Sequence, residues 1–347
     1  MMVSLSSEPA VMIYNQRGVQ SLFFPRVDIP MHLRFAICLA IVFATMEVKE
    51  PFGRPLHAEV NPPGALQVIL QKQVAKTQSP KKNTDSDYQI ERTNESWKAS
   101  QTAIIVCDMW DSHHCYRAVK RQAQMVPRME GLLKKLRATG VTVIHAPSGC
   151  MAAYANDPAR LRVANIPKAA APDDINQWCH SIPSEERVRY PLDQSDGGED
   201  DTPEEHAAWA ASLKAKGLNP RAPWKQQHAG LSIDSATDFI SDHGDEIWSL
   251  LKHKNLKNVI LAGVHTNMCV LGRPFGLRQL SKNGVNVVLM RDLTDSMYNP
   301  KSWPFVSHLE GNALIIAHIE RHVCPTVTSD QFLGGHPFRF EPVSSKR

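Results

Sequence analysis

Two short segments of this chain carry side chains where chemistry is commonly done. Asp108 ends the apolar run 103–107 in AIIVCDMW, so a carboxylate follows directly on what reads as a buried parallel strand. Partly desolvated there, it can act as a general base; the plainer role is an N-cap or a loop ion pair. The second segment is AGVHTNMCV (262–270), a strand end that turns sharply into a helix beginning at Cys269. A thiol at a helix N-terminus has its pKa lowered by the dipole, and free backbone N–H groups beside it can hold an oxyanion. That placement presents a nucleophile, with the N–H groups of His265 and Cys269 as oxyanion donors. Val264, His265, Trp110 and His145 are the candidate oxyanion or substrate contacts. Cys107, Cys150 and Cys179 lack such a context and read as packed structural thiols.

The elements that position these residues alternate. A helix is expected at about 118–138, a second strand at 141–147, a helix before the strand NVILAGV (258–264), a helix from Cys269 to about Lys282, and a strand at 285–293. Residues 313–319 are compatible with helix or strand. The pattern predicts an α/β, three-layer, Rossmann-like fold: a mostly parallel sheet flanked by helices, with ligands at the carboxyl ends of the strands. The stretch 148–228, rich in Pro, Asp, Glu and Trp, is too long for an ordinary loop and reads as an insertion over the site. Within it, the acids and glycines of LDQSDGGEDD (192–201) lack the spacing of an EF-hand and read as a solvated loop. Trp110, Trp178, Trp209 and Trp224 can wall a pocket or serve as ordinary packing.

Composition narrows the function classes. The 39 basic and 35 acidic residues are too evenly matched for nucleic-acid binding by charge alone. Seven cysteines in 347 residues, without paired CxxC spacing, exclude a disulfide-dense mini-domain and a zinc ribbon. No GxGxxG or P-loop pattern follows an expected strand, so no nucleotide or redox cofactor is implied. The run 35–45 (FAICLAIVFAT) has the length of a signal-peptide core and is too short for a stable membrane span, with a compact start at Met31 and a cleavage point after Ala58. The expected organisation is an N-terminal extension with signal peptide over 1–58, a polar linker with little order over 59–97, a catalytic domain over 98–330, and a tail over 331–347. Secretion or periplasmic export follows if the signal is used, and a cytoplasmic location if it is not.

IIVCDMWD and LAGVHTNMCV together resemble the isochorismatase-like cysteine hydrolases, the family of nicotinamidases and N-carbamoyl amidohydrolases, over about 100–325. The resemblance implies that Asp108 is the catalytic acid/base and Cys269 the nucleophile, with a non-proline cis peptide at Val264–His265. It also implies a catalytic lysine some dozens of residues before the nucleophile. Lys225 in APWKQQHAGLSID has about that separation, although the segment can be shifted to place Gln226, Gln227 or His228 there. The metal pattern of the nicotinamidases is absent after Val143; a divalent metal on Asp111, His113 or His114 with His145 is chemically compatible. The implied function is hydrolysis of a C–N bond, amide or carbamoyl, of a small molecule by a homo-oligomer. The alternative is a binding relative that keeps the fold without catalysis, favoured by the unclear lysine.

Overall fold

The computed structural model describes residues 64–76 and 85–341. The signal-like segment and its cleavage point lie outside the described residues. Among the described residues eight strands form one sheet: β1 (Ala65–Ala75), β2 (Tyr88–Lys98), β3 (Thr102–Cys107), β4 (Thr142–Ala146), β5 (Phe239–Ile240), β6 (Asn258–Val264), β7 (Asn286–Asp295) and β8 (Thr326–Val327). Their spatial order is β2-β1-β8-β7-β6-β3-β4-β5. Strands β3 to β8 run parallel to one another, whereas β1 pairs antiparallel with both β8 and β2. The sheet is therefore the mostly parallel one expected, with an antiparallel hairpin added at one edge.

That hairpin corrects the reading of 59–97 as a linker with little order. Residues 65–75 and 88–98 pair over eleven positions. Leu66, Val68 and Leu70 alternate inward, where they join the core. Strand β2 is an edge strand exposed on both faces, which is why its sequence, YQIERTNESWK, carries so little apolar signal.

Helices α1 (Tyr116–Ala138), α2 (Pro158–Ala164), α3 (Pro203–Ala215), α4 (Gly244–His253), α5 (Cys269–Gly272), α6 (Leu277–Lys282), α7 (His308–His322) and α8 (Asp330–Leu333) complete the domain. Alternation along β3 sends Ile104 and Val106 into one core with the apolar face of α1, and Ala103, Ile105 and Cys107 into another with α4, α6 and α7. Both faces of the strand are covered, so a period of two coexists with a continuous apolar run. The segment left open at 313–319 is helical, inside α7. The helix expected from Cys269 to Lys282 is broken into α5 and α6 by Arg273–Gly276, where Pro274 stands. Beyond α8, Phe338 and Phe340 pack against the α1 core, so the expected tail is partly docked. Among the described residues no helix is long and apolar enough to cross a membrane.

Candidate active site

The chain leaves β3 for β4 and β5 on one side, then returns to β6 on the other side of β3. The carboxyl ends of β3 and β6 therefore flank the point where strand order reverses, which is where open α/β sheets bind ligands. Asp108 follows β3 and Cys269 follows β6. The approach is close because Gly263, with φ 114°, stands opposite Cys107: a Cβ there would lie 2.0 Å from the Cys107 carbonyl oxygen.

The turn 265–268 is fixed by its own side chains. Thr266 Oγ1 lies 2.7 Å from Thr294 Oγ1 at the end of β7. Asn267 exchanges two hydrogen bonds with the Met297 backbone, at 2.7 and 2.8 Å. The Val264–His265 peptide is cis, as the family resemblance implied. His265 N–H is directed at the Cys269 sulfur, while the His265 side chain is buried and held neutral, its pKa pushed down to about 3 by desolvation.

Asp108 is fully buried in a left-handed conformation, φ 49°, which costs energy for a non-glycine residue and is kept by the surrounding contacts. Ser148 N–H donates to its Oδ1 at 2.7 Å and Arg273 Nε donates to its Oδ2 at 3.1 Å. Burial raises the Asp108 pKa; Arg273 and the Ser148 bonds oppose this. The Cys269 thiol is also raised, by burial first and by Asp108 second, while Arg273 lowers it. Helix position was expected to lower this thiol. Helix α5 has only four residues, and its dipole does not offset desolvation beside a carboxylate. Asp108 and Cys269 are hydrogen-bonded to one another beside the Arg273 guanidinium, so their titrations are coupled.

That cation is Arg273, which the sequence reading missed. It lies four residues after Cys269, where α5 ends. Lys225 does not converge on the pair. It is an exposed residue whose backbone N–H donates to Asp111 Oδ1 at 2.9 Å, in a segment bridged to Trp110 through Gln227. Replacing Lys225 with Ala is accordingly expected to leave kcat/KM for any substrate within about twofold, as for an ordinary solvated lysine; steady-state kinetics beside wild type checks it.

The other candidates separate. His145 is fully buried, with Nδ1 2.9 Å from Gln227 Oε1 and Nε2 3.1 Å from Asp238 Oδ2, so both ring nitrogens are engaged away from the thiol. It does not line the cavity over Cys269. Trp110 donates to the Ser148 carbonyl at 3.0 Å and stacks on Trp224, so it braces the loop that holds Asp108. His113 stacks with Trp110 and meets His265 edge-on at 4.8 Å; burial keeps its pKa well below the usual range. His114 tilts against His113 at 4.1 Å. Asp111, His113 and His114 do not gather three ligand atoms at one point with His145. Among the described residues such groupings are Cys115, Asp200 and Asp201, and Glu199, Asp201 and His206. The first is committed elsewhere: Asp200 is bidentate to Arg121 at 2.8 and 3.0 Å, and Asp201 accepts the Tyr116 and Arg117 N–H groups that open α1. The acidic loop is thus docked at Asp200 rather than solvated.

A cavity of about 830 Å³ opens over Cys269 and Arg273. The insertion supplies its outer wall, including Trp178, Tyr190 and Gln194. Tyr190 Oη and Gln194 Nε2 both donate to the Asn267 carbonyl, at 2.8 and 2.9 Å, tying that wall to the nucleophile turn. Deeper in, Arg278 is bidentate to Glu185 at 2.7 Å and His318 Nε2 lies 2.8 Å from the same carboxylate, which holds Glu185 at a pKa of about 2.

A doubly wound α/β domain with an acid and a thiol facing one another at the switch point is the class these observations define. No protein-family model and no curated protein matches the chain. Solved structures do, and they are isochorismatase-family and cysteine hydrolase proteins. A cysteine hydrolase from Pseudomonas syringae pv. phaseolicola is 18% identical, over 68% of this chain and 92% of that one, with a TM-score of 0.40. An isochorismatase from Pseudomonas putida is 11% identical over 68% and 92%, TM-score 0.40. A nicotinamidase from Bacillus subtilis is 15% identical over 65% and 99%, TM-score 0.31. These are likenesses of fold.

Proposed function

We propose that the protein is a cysteine hydrolase cleaving a C–N bond, amide or carbamoyl, of a small molecule. The observation that carries this reading is the meeting of Asp108, Cys269 and Arg273 at the floor of a cavity at the switch point. Asp108 takes the proton from Cys269, and the thiolate attacks the carbonyl carbon. The N–H groups of His265 and Cys269 receive the oxyanion. The C–N bond breaks as Asp108 returns the proton to the leaving nitrogen. Asp108 then takes a proton from water, whose oxygen attacks the thioester; carboxylate or carbamate departs and the thiol is restored. Arg273 lowers the Asp108 pKa against the effect of its burial.

The test is to mix the protein with a panel of small primary amides and N-carbamoyl compounds, assay ammonia, and quench in acid for peptide mass spectrometry. Ammonia release with a thioester adduct on the Cys269 peptide is the expected result. Neither ammonia nor adduct from compounds that bind would establish the binding relative instead. Ammonia without an adduct, surviving Cys269→Ser but not Asp108→Asn, would mean hydrolysis without a thiol nucleophile.

A further inference from the structure

We infer that the substrate carries a carboxylate, or an equivalent anionic group, and that Arg273 is the residue that selects it. This rests on the hydrolase reading above and adds the substrate class. Arginine presents five N–H donors in a rigid fork. Arg273 uses only Nε on Asp108; among the described residues neither of its Nη nitrogens meets an acceptor. The side chain is 27% exposed and lines the same cavity as Cys269. Its guanidinium lies 5.4 Å from the Trp178 ring centroid, and Trp178 in turn packs on Gly272, where a Cβ would come within 2.4 Å of the indole. The fork is therefore held from two sides while its outer edge faces the cavity.

The other guanidinium in that wall is not available in this way. Arg278 spends Nε and Nη2 on Glu185 and Nη1 on the Cys179 carbonyl. Glu185 itself is paired bidentately with Arg278, which leaves Asp193 as the other acid of the wall. A planar carboxylate fits the two open donors side by side, the geometry for which arginine is suited. The open fork belongs to the residue that already holds Asp108, so a carboxylate seated on it brings the neighbouring scissile carbonyl to the thiol.

Succinamate and succinamide test this, because both carry the amide and only one carries the anion. Calorimetric titration into Cys269→Ala protein, which cannot turn over, is expected to show succinamate binding about ten- to a hundredfold tighter, the usual return of a charge-assisted hydrogen bond. The preference should fall to near unity on adding Arg273→Gln and return in part with Arg273→Lys. Equal binding of the two probes, or a preference that survives Arg273→Gln, overturns the inference. If the Arg273 variants do not fold, the matched pair on Cys269→Ala protein still decides. A preference for succinamate with no ammonia released from any amide by wild type would remove the hydrolase reading and leave the anion site. Equal kcat/KM for both probes would do the reverse.

Discussion

If the proposed hydrolysis holds, replacing Arg273 with Gln is expected to lower kcat/KM for an amide substrate by about two to three orders of magnitude, the loss typical of deleting one preorganised electrostatic contact in an active site. The cause is the protonation state of Asp108. That carboxyl is fully buried, burial raises its pKa, and Arg273 is the largest influence lowering it again. Without the guanidinium the pKa rises further, and a protonated Asp108 cannot accept the Cys269 proton. Rate is lost as pH falls through the Asp108 pKa, so the acid limb of the pH–rate profile is expected to move to higher pH in Arg273→Gln. Arg273→Lys keeps a positive charge and should return the limb most of the way, with lower kcat/KM because an ammonium cannot hold Asp108 and a second acceptor in one plane. Stability gives an independent reading. A carboxyl whose folded pKa exceeds its unfolded one makes the folded state bind the extra proton, so its contribution to stability falls as pH rises between those two values. In Arg273→Gln that window extends upward. The melting-temperature gap to wild type should widen with pH, and a gap independent of pH would show that Arg273 does not govern Asp108.

How much of this was legible in the sequence follows from where each signal is local. Asp108 directly follows the apolar run of β3, and Cys269 follows that of β6 after the turn 265–268; both runs owe their continuity to burial on both faces. A strand end marked the first of these positions and a strand-to-helix turn the second. Arg273 carried a weaker local mark: it sits one turn beyond Cys269 and directly before Pro274, where a helix has to stop. Its role comes from turning back onto Asp108, 165 positions earlier, and spacing says nothing of that. Lys225 had suitable spacing, but its segment pairs with Trp110 and Asp111 and leaves its side chain exposed. In β1 the alternation of Leu66, Val68 and Leu70 was present to be read; β2, solvated on both faces, offered no pattern at all. The cavity wall was the least visible part. Trp178, Tyr190 and Glu185 come from an insertion whose regular structure is short, and they are placed by contacts with Gly272, Asn267 and Arg278 far along the chain.

Asp108→Asn is expected to move two properties of the site in opposite directions. Hydrolysis falls by about two to four orders of magnitude, the usual contribution of a general acid/base, since Asn neither accepts the Cys269 proton nor returns it to the leaving nitrogen. Alkylation of Cys269 by iodoacetamide, in contrast, speeds up. In the native site the thiol is raised above its ordinary value by burial and then by the Asp108 carboxylate, with Arg273 pulling the other way. The substitution deletes the carboxylate's share and keeps the cation, so the thiol pKa falls and the labelling curve shifts to lower pH. At pH 8 the rate should rise by roughly three- to tenfold, because a larger thiolate fraction outweighs the loss of intrinsic nucleophilicity that accompanies a lower pKa. Labelling of wild type at neutral pH should be slow for the same reason, which reverses the expectation drawn from a helix N-terminus alone. A residue with a merely structural role would slow turnover and leave labelling unchanged, or unfold the site and expose every thiol. Divergence confined to the Cys269 peptide is the signature of a shared proton: in the proposed reaction the carboxylate that holds the thiol's proton back is also the group that delivers it to the leaving nitrogen.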